Sequence, residues 1–295
     1  TIRAHEGYIA SSPELDHYVY PTNWADLSTA MRDRNAALIV GQSGTGKTLA
    51  TRKLFEELRD QIPGLKRIPI KLGPHQLRDD QTEGPVLYDI EDPWGRFDFD
   101  PASRPWNDQL AQILSKARPD RMVVATSRLD VAREAGALDS VKGFIIPLEA
   151  EHYGKRERAR LYTSRVPGLP RDLQLLAANS QADVLSQLAT PLEIQKFFDA
   201  LPTLDRKSLH NPPGFVTEAI RRAHQDSIEL TVREQIEQRD DVRAAAVIWG
   251  LLKAVDKVTG RLVRTLEDML ADRDPNMSRG ISPLIEFFVA ARNLR

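Results

Sequence analysis

Gly41-Gln42-Ser43-Gly44-Thr45-Gly46-Lys47-Thr48 forms a complete G-x-x-x-x-G-K-[ST] run, the spacing with which a backbone cradles phosphate groups. Glycines at 41, 44 and 46 allow positive φ, so successive N–H groups can turn inward as an anion nest ahead of a helix N-terminus. The ammonium of Lys47 is expected to reach β- and γ-phosphates, the hydroxyl of Thr48 to meet Mg²⁺, and Leu49 to close the binding stretch. The chemistry implied is binding and cleavage of a nucleoside triphosphate.

Such a loop needs acidic groups to hold Mg²⁺ from the other side and to orient an attacking water. Val86-Leu87-Tyr88-Asp89-Ile90-Glu91-Asp92-Pro93-Trp94-Gly95 supplies them at the end of an apolar run. Glu91 and Asp92 are the preferred pair, as metal ligands and as catalytic groups. Asp89, two residues before Glu91, shares its face on a strand and ranks below them. A later run, Val123-Val124-Ala125-Thr126-Ser127-Arg128, ends in an arginine that can report the γ-phosphate; Arg118 and Arg121 read as solvated caps. Asp92 to Gly95 also fits the D-x-x-G of GTPases, but no Asn-Lys-x-Asp for guanine occurs, so ATP and ADP are the expected nucleotides. Tyr20 and Pro21, just upstream of the loop's strand, could contact adenine or simply pack; the residues leave both open.

The elements that must position these groups alternate. Apolar runs at 36–40, 68–72, 86–90, 122–126 and 144–148 are separated by helical or irregular stretches, the pattern of a parallel sheet covered on both faces. The fold class is α/β: a P-loop NTPase with a parallel central sheet flanked by helices, followed by an all-α region. Helices are expected over 49–58 and, past residue 150, over 154–165, 171–188, 191–201, 214–238, 241–256, 261–271 and 281–293. The expected division is an N-terminal segment 1–35, a nucleotide-binding domain 36–150, a lid-like helical domain 151–205 and a C-terminal helical region 206–295. Trp249, Phe287 and Phe288 fall on apolar helical faces and read as core.

Among 295 residues the net charge is −1 and 28% are charged, so no basic field favours nucleic acid. The cluster Lys155, Arg156, Arg158 and Arg160 is interrupted by Glu157 and reads as a solvated helix face. Cysteine is absent, which excludes disulfides and thiol catalysis and fits a reducing, cytoplasmic setting. Six histidines without metal-ligand spacing give no zinc site. Ala244 to Leu252 is the longest apolar stretch, well below the roughly twenty residues of a membrane helix. A chain that opens at Thr1 without Met and closes at Arg295 inside an apparent helix is expected to be a piece excised from a larger protein.

Taken in order, GQSGTGKT at 41–48, IEDPWG at 90–95, VVATSR at 123–128 and ATPLEIQKFF at 189–198 resemble the STAND class of AAA+-like P-loop ATPases, and within it the novel STAND proteins of prokaryotic conflict systems. The resemblance covers roughly residues 18–201. It implies that Arg128 ends a sensor strand and that Pro191 approaches the nucleotide from a helical domain. Thr190 stands where the class usually carries a glycine, and its winged-helix histidine motif is not visible before Arg295. The function implied is a slow, ATP-hydrolysing switch that controls self-association and an effector outside this chain. A DNA-processing or loading AAA+ ATPase, a transcription regulator with the same switch, and a scaffold with a structural nucleotide are the alternatives.

Overall fold

A computed structural model describes residues 15–71, 73–95, 99–100, 103–224, 246–248, 250–251, 254, 259–271, 273, 281 and 285. The chain divides into two compact units, Thr1–Ala223 and His224–Arg295. In the first, five strands form one parallel sheet, β1 (Ala36–Val40), β2 (Lys66–Ile70), β3 (Val86–Glu91), β4 (Arg121–Ser127) and β5 (Ile145–Pro147), in the order β2-β3-β4-β1-β5. This is the parallel α/β fold that the apolar runs predict. Boundaries differ by a few residues: β2 begins at the charged Lys66 and Arg67, and the chain at Phe144 is still a 3₁₀ turn.

The strands are apolar throughout because both faces are covered. Ala36, Leu38, Val40, Val86, Tyr88, Ile90, Val123 and Ala125 pack on one side with Leu77 of α3 (His75–Asp79) and with Trp106, Leu110 and Leu114 of α4 (Arg104–Ser115). The alternate residues Ala37, Ile39, Leu87, Met122 and Val124 meet Leu27 and Met31 of α1 (Trp24–Arg34) and Ala50 and Leu54 of α2 (Lys47–Gln61) on the other. This period-two alternation puts Asp89 and Glu91 on the α2 face.

Beyond the sheet, α5 (Leu129–Glu134), α6 (Leu138–Val141), α7 (Lys155–Arg165), α8 (Arg171–Gln187) and α9 (Pro191–Ala200) follow, then a helix over 212–224. Tyr162, Phe197 and Phe198 form an aromatic trio, with centroids 4.8 to 5.9 Å apart, at the centre of a cluster that also takes Leu173, Val184, Phe215 and Ile220. Residues 215–223, assigned from sequence to the C-terminal region, pack into this same cluster. In the second unit Gly260–Ala271 is an amphipathic helix with Val263 buried and Met269 exposed. Trp249, Phe287 and Phe288 lie outside the described residues, as does most of the helical sequence expected after 224.

One ion pair is built into the sheet beneath the carboxylates. Arg67 Nε on β2 donates to Asp89 Oδ2 at 2.8 Å, its Nη2 adds a second bond to the same oxygen, and Thr51 Oγ1 of α2 lies 3.4 Å from it. The two charged side chains are 14% and 6% exposed, so each depends on the other for its charge to be tolerated. Asp89→Ala is expected to lower stability by about 3–5 kcal/mol, whereas replacing both residues by apolar ones of similar volume restores most of it. Equilibrium unfolding in urea, followed by tryptophan fluorescence, checks both.

Candidate functional site

In a parallel sheet the C-terminal strand ends share one edge, and three of the predicted groups come together there. Gly41 continues β1, donating its N–H to Ser127 O at 3.2 Å; Asp92 leaves β3 with its N–H on Thr126 O at 2.9 Å; Arg128 follows β4 directly. Between them the loop 41–46 turns into α2, whose N-cap is Gly46 at φ 87, with Gly44 at φ 77. Those are the conformations expected at Gly44 and Gly46; Gly41, expected to share them, has no positive φ, and it is the approach of Leu148 O that leaves no room for a side chain there. α2 has no side-chain cap, so its first N–H groups stay directed at the loop, as an anion site requires.

Lys47 folds back over the loop, its ammonium donating to Gly41 O at 2.9 Å and Gln42 O at 2.7 Å. Burial pulls its pKa below the ordinary lysine value; the carboxylate of Asp92 opposes this and the guanidinium of Arg128 adds to it. A half-desolvated ammonium of this kind gains from an incoming polyanion. Thr48 Oγ1 donates to Glu91 Oε1 at 3.0 Å, so the hydroxyl and carboxylate assigned to Mg²⁺ are already adjacent. Paired hard oxygen donors beside a phosphate nest fit that ion, which normally takes its remaining ligands from phosphate and water. No group of three or more His, Cys, Asp or Glu that could hold a metal ion occurs among the described residues. Asp92 has φ 46, a left-handed conformation at the strand exit where the chain turns into the buried Pro93 and Trp94.

Arg128 is an N-cap residue held by Asp130 on α5, at 3.0 Å and 2.5 Å. Burial raises the Asp130 carboxyl, but hydrogen bonds and charge from Arg128 outweigh it and leave that group below its usual value. Asp89 is committed to Arg67 and stands behind Glu91. Arg121, read as a cap, anchors the 82–84 turn through the carbonyls of Gly84 and Thr82, and Arg118 pairs with Asp120 at 2.8 Å. Of the basic cluster on α7, Arg158 turns inward to Leu185 O at 3.0 Å and Leu188 O at 3.3 Å, while Lys155, Arg156 and Arg160 stay exposed.

Pro191 opens α9, and the next residue touches the loop. Leu192 N donates to Gly44 O at 3.3 Å, and a Cβ on Gly44 would sit 3.0 Å from that of Leu192. Thr190 replaces the glycine of the class without strain: its φ of −103 and ψ of 154 suit a residue before proline, and its hydroxyl caps α9 by accepting from Glu193 N. The N-terminal aromatics are placed differently from the adenine contact considered for them. Tyr20 donates to Glu57 Oε1 at 2.8 Å and Trp24 Nε1 to Glu57 Oε2 at 3.2 Å. Glu57 lies ten residues past Lys47, about 15 Å along α2, so Tyr20 is held on the flank of that helix; Pro21 beside it is buried.

Sequence reasoning missed the bracket after β5. Leu148 O lies where a Cβ on Gly41 would come within 1.9 Å, Glu149 Oε2 accepts from Gln42 N at 3.4 Å, and the Tyr153 hydroxyl lies 3.4 Å from the Cβ position of Gly46. Its signal was the string Pro147 to Tyr153, too polar and irregular to read as an element.

The sequence profile of the family described as Novel STAND NTPase 3 matches residues 18–166. Among solved structures, the chain is similar to PCH-2 of C. elegans (14% identity, TM-score 0.49, covering 72% of this chain and 73% of that one). It is also similar to the Walker-type ATPase paby2304 of Pyrococcus abyssi (12% identity, TM-score 0.42, 92% of each chain). No curated protein matches it. Lys47→Ala is expected to weaken binding of ADP and ATP by about a hundredfold in titration calorimetry; unchanged affinity would exclude the loop as the site.

Proposed function

The chain belongs to the novel STAND NTPase 3 family, and from that premise we propose that it binds ATP and ADP at the 41–49 stretch and works as a slow, hydrolysing switch. Its output is self-association and control of an effector outside this chain, in signalling or prokaryotic conflict defence. The observation that carries this reading is the bond from Leu192 N to Gly44 O. Through it the helical region rests on the backbone that receives the phosphates, so a change in the phosphates is felt by α9. The absence of Asn-Lys-x-Asp supports adenine over guanine.

This reading assigns the roles. Lys47 and the loop amides take the β- and γ-phosphates. Thr48 with Glu91 or Asp92 would hold Mg²⁺, which supplies charge neutralisation on the phosphates when bound. The second carboxylate accepts a proton from the attacking water, and Arg128 faces the γ-phosphate, where positive charge favours the transition state. Pro191, which opens α9 one residue before Leu192, is assigned to the nucleotide by the same reading. A ligand shifts a two-state equilibrium only by its differential affinity for the two states; here the difference between ATP and ADP is the γ-phosphate, and Arg128 is the group placed to feel it. Among the described residues no helix is long and apolar enough to cross a membrane.

Glu91→Gln is expected to lower turnover about a hundredfold or more while changing ADP affinity less than about threefold, measured by phosphate release and calorimetry. Self-association of the full-length protein, followed by sedimentation, is expected with a non-hydrolysable ATP analogue and not with ADP. Identical sedimentation in both states would remove the switch.

A further inference from the structure

The turn after β5 is built to hold one side chain. Leu148 N extends the ladder to Val40 O at 2.7 Å; Glu149 and His152 then form a reciprocal capping box, with Glu149 N on His152 Nδ1 at 3.0 Å. Thr22 N adds a bond to His152 O at 2.9 Å, and Asn23 Nδ2 one to Pro147 O at 2.6 Å. The residue this fixes is Tyr153. Its ring is 4% exposed and packs in the same core as Ala50, Leu54 and Leu148, so its position is set by close packing.

The tip of that ring has no structural task. Among the described residues the Tyr153 hydroxyl makes no hydrogen bond, although it reaches Gly46, the N-cap of α2. The hydroxyl is not fully buried, so the tip of an otherwise buried ring is open to solvent beside the loop, where a ligand can take the place of water as its partner. The contrast with Tyr162 is direct: that hydroxyl, in the helical cluster, donates to Ala177 O at 2.8 Å.

Strand order says which part of a ligand would arrive there. Glu91 and Arg128 come from β3 and β4, on one side of β1, whereas Tyr153 follows β5 on the other. With the γ-phosphate on the acidic side, the remaining length of the nucleotide leaves past Gly46 toward β5. We propose that Tyr153 is a nucleotide-binding residue whose hydroxyl donates to the ribose–α-phosphate portion of ATP and ADP. This rests on the phosphate-loop reading above and adds to it the contact on the nucleoside side.

Because that portion is common to both nucleotides, Tyr153→Phe is expected to weaken MgATP and MgADP binding by the same factor, about tenfold, in calorimetry on the full chain. The thermal midpoint without nucleotide stays unchanged or rises, since the lost hydroxyl had no protein partner, and the midpoint shift on adding ADP shrinks. Tyr162→Phe should do the reverse, lowering the midpoint while leaving affinity alone. Wild-type affinity in Tyr153→Phe overturns the assignment, as does a lowered midpoint without nucleotide. Lys47→Ala separates the two levels: if it loses nucleotide while Tyr153→Phe does not, only the Tyr153 contact fails, and if it too binds normally, the phosphate-loop reading fails with it.

Discussion

Backbone amides make a phosphate site only when they converge, and a loop rich in glycine has little of its own to keep them converged. Everything around residues 41–46 serves that constraint. Leu148 O leaves no room for a side chain at Gly41, Leu192 crowds Gly44 and donates to its carbonyl, and Tyr153 reaches Gly46. Lys47 ties its ammonium to the first two carbonyls of the loop. Conformational freedom that glycine brings is thus removed by contacts from three separate parts of the chain.

The same contacts decide where function can be read out. Glu91 and Arg128, the proposed catalytic groups, leave a sheet whose strands are buried on both faces and whose β2–β3 pairing is reinforced by Arg67 and Asp89. The loop also meets α9, where Leu192 N donates to Gly44 O and the Leu192 side chain lies against Gly44. A backbone hydrogen bond, worth about 1 kcal/mol, can be made or broken by a ligand with modest differential affinity.

Much of this was legible in the sequence, for identifiable reasons. Strands buried on both sides are continuous apolar runs, so β1, β3 and β4 stand out; β2 slipped because Arg67 is polar by type yet neutralised by a partner 22 residues away in sequence. The phosphate loop, Thr48, Glu91 and Asp92 are local patterns whose chemistry fixes their spacing. Tyr153 and Leu192 act through contacts with glycines more than a hundred residues distant, and no local pattern encodes those. Adenine contact and packing stayed open for Tyr20 in the sequence because its partner Glu57, which holds its hydroxyl on the flank of α2, lies 37 residues away.

In the proposed switch the γ-phosphate felt by Arg128 is relayed to the helical region at the junction of Gly44 and Leu192. Hydrogen exchange at the Leu192 amide, compared between full-length protein saturated with MgADP and with a non-hydrolysable ATP analogue, tests it most directly. A difference in protection between the two states is expected, confined to the start of α9 and absent in Lys47→Ala. Equal protection in both, with the nucleotide demonstrably bound, would contradict it.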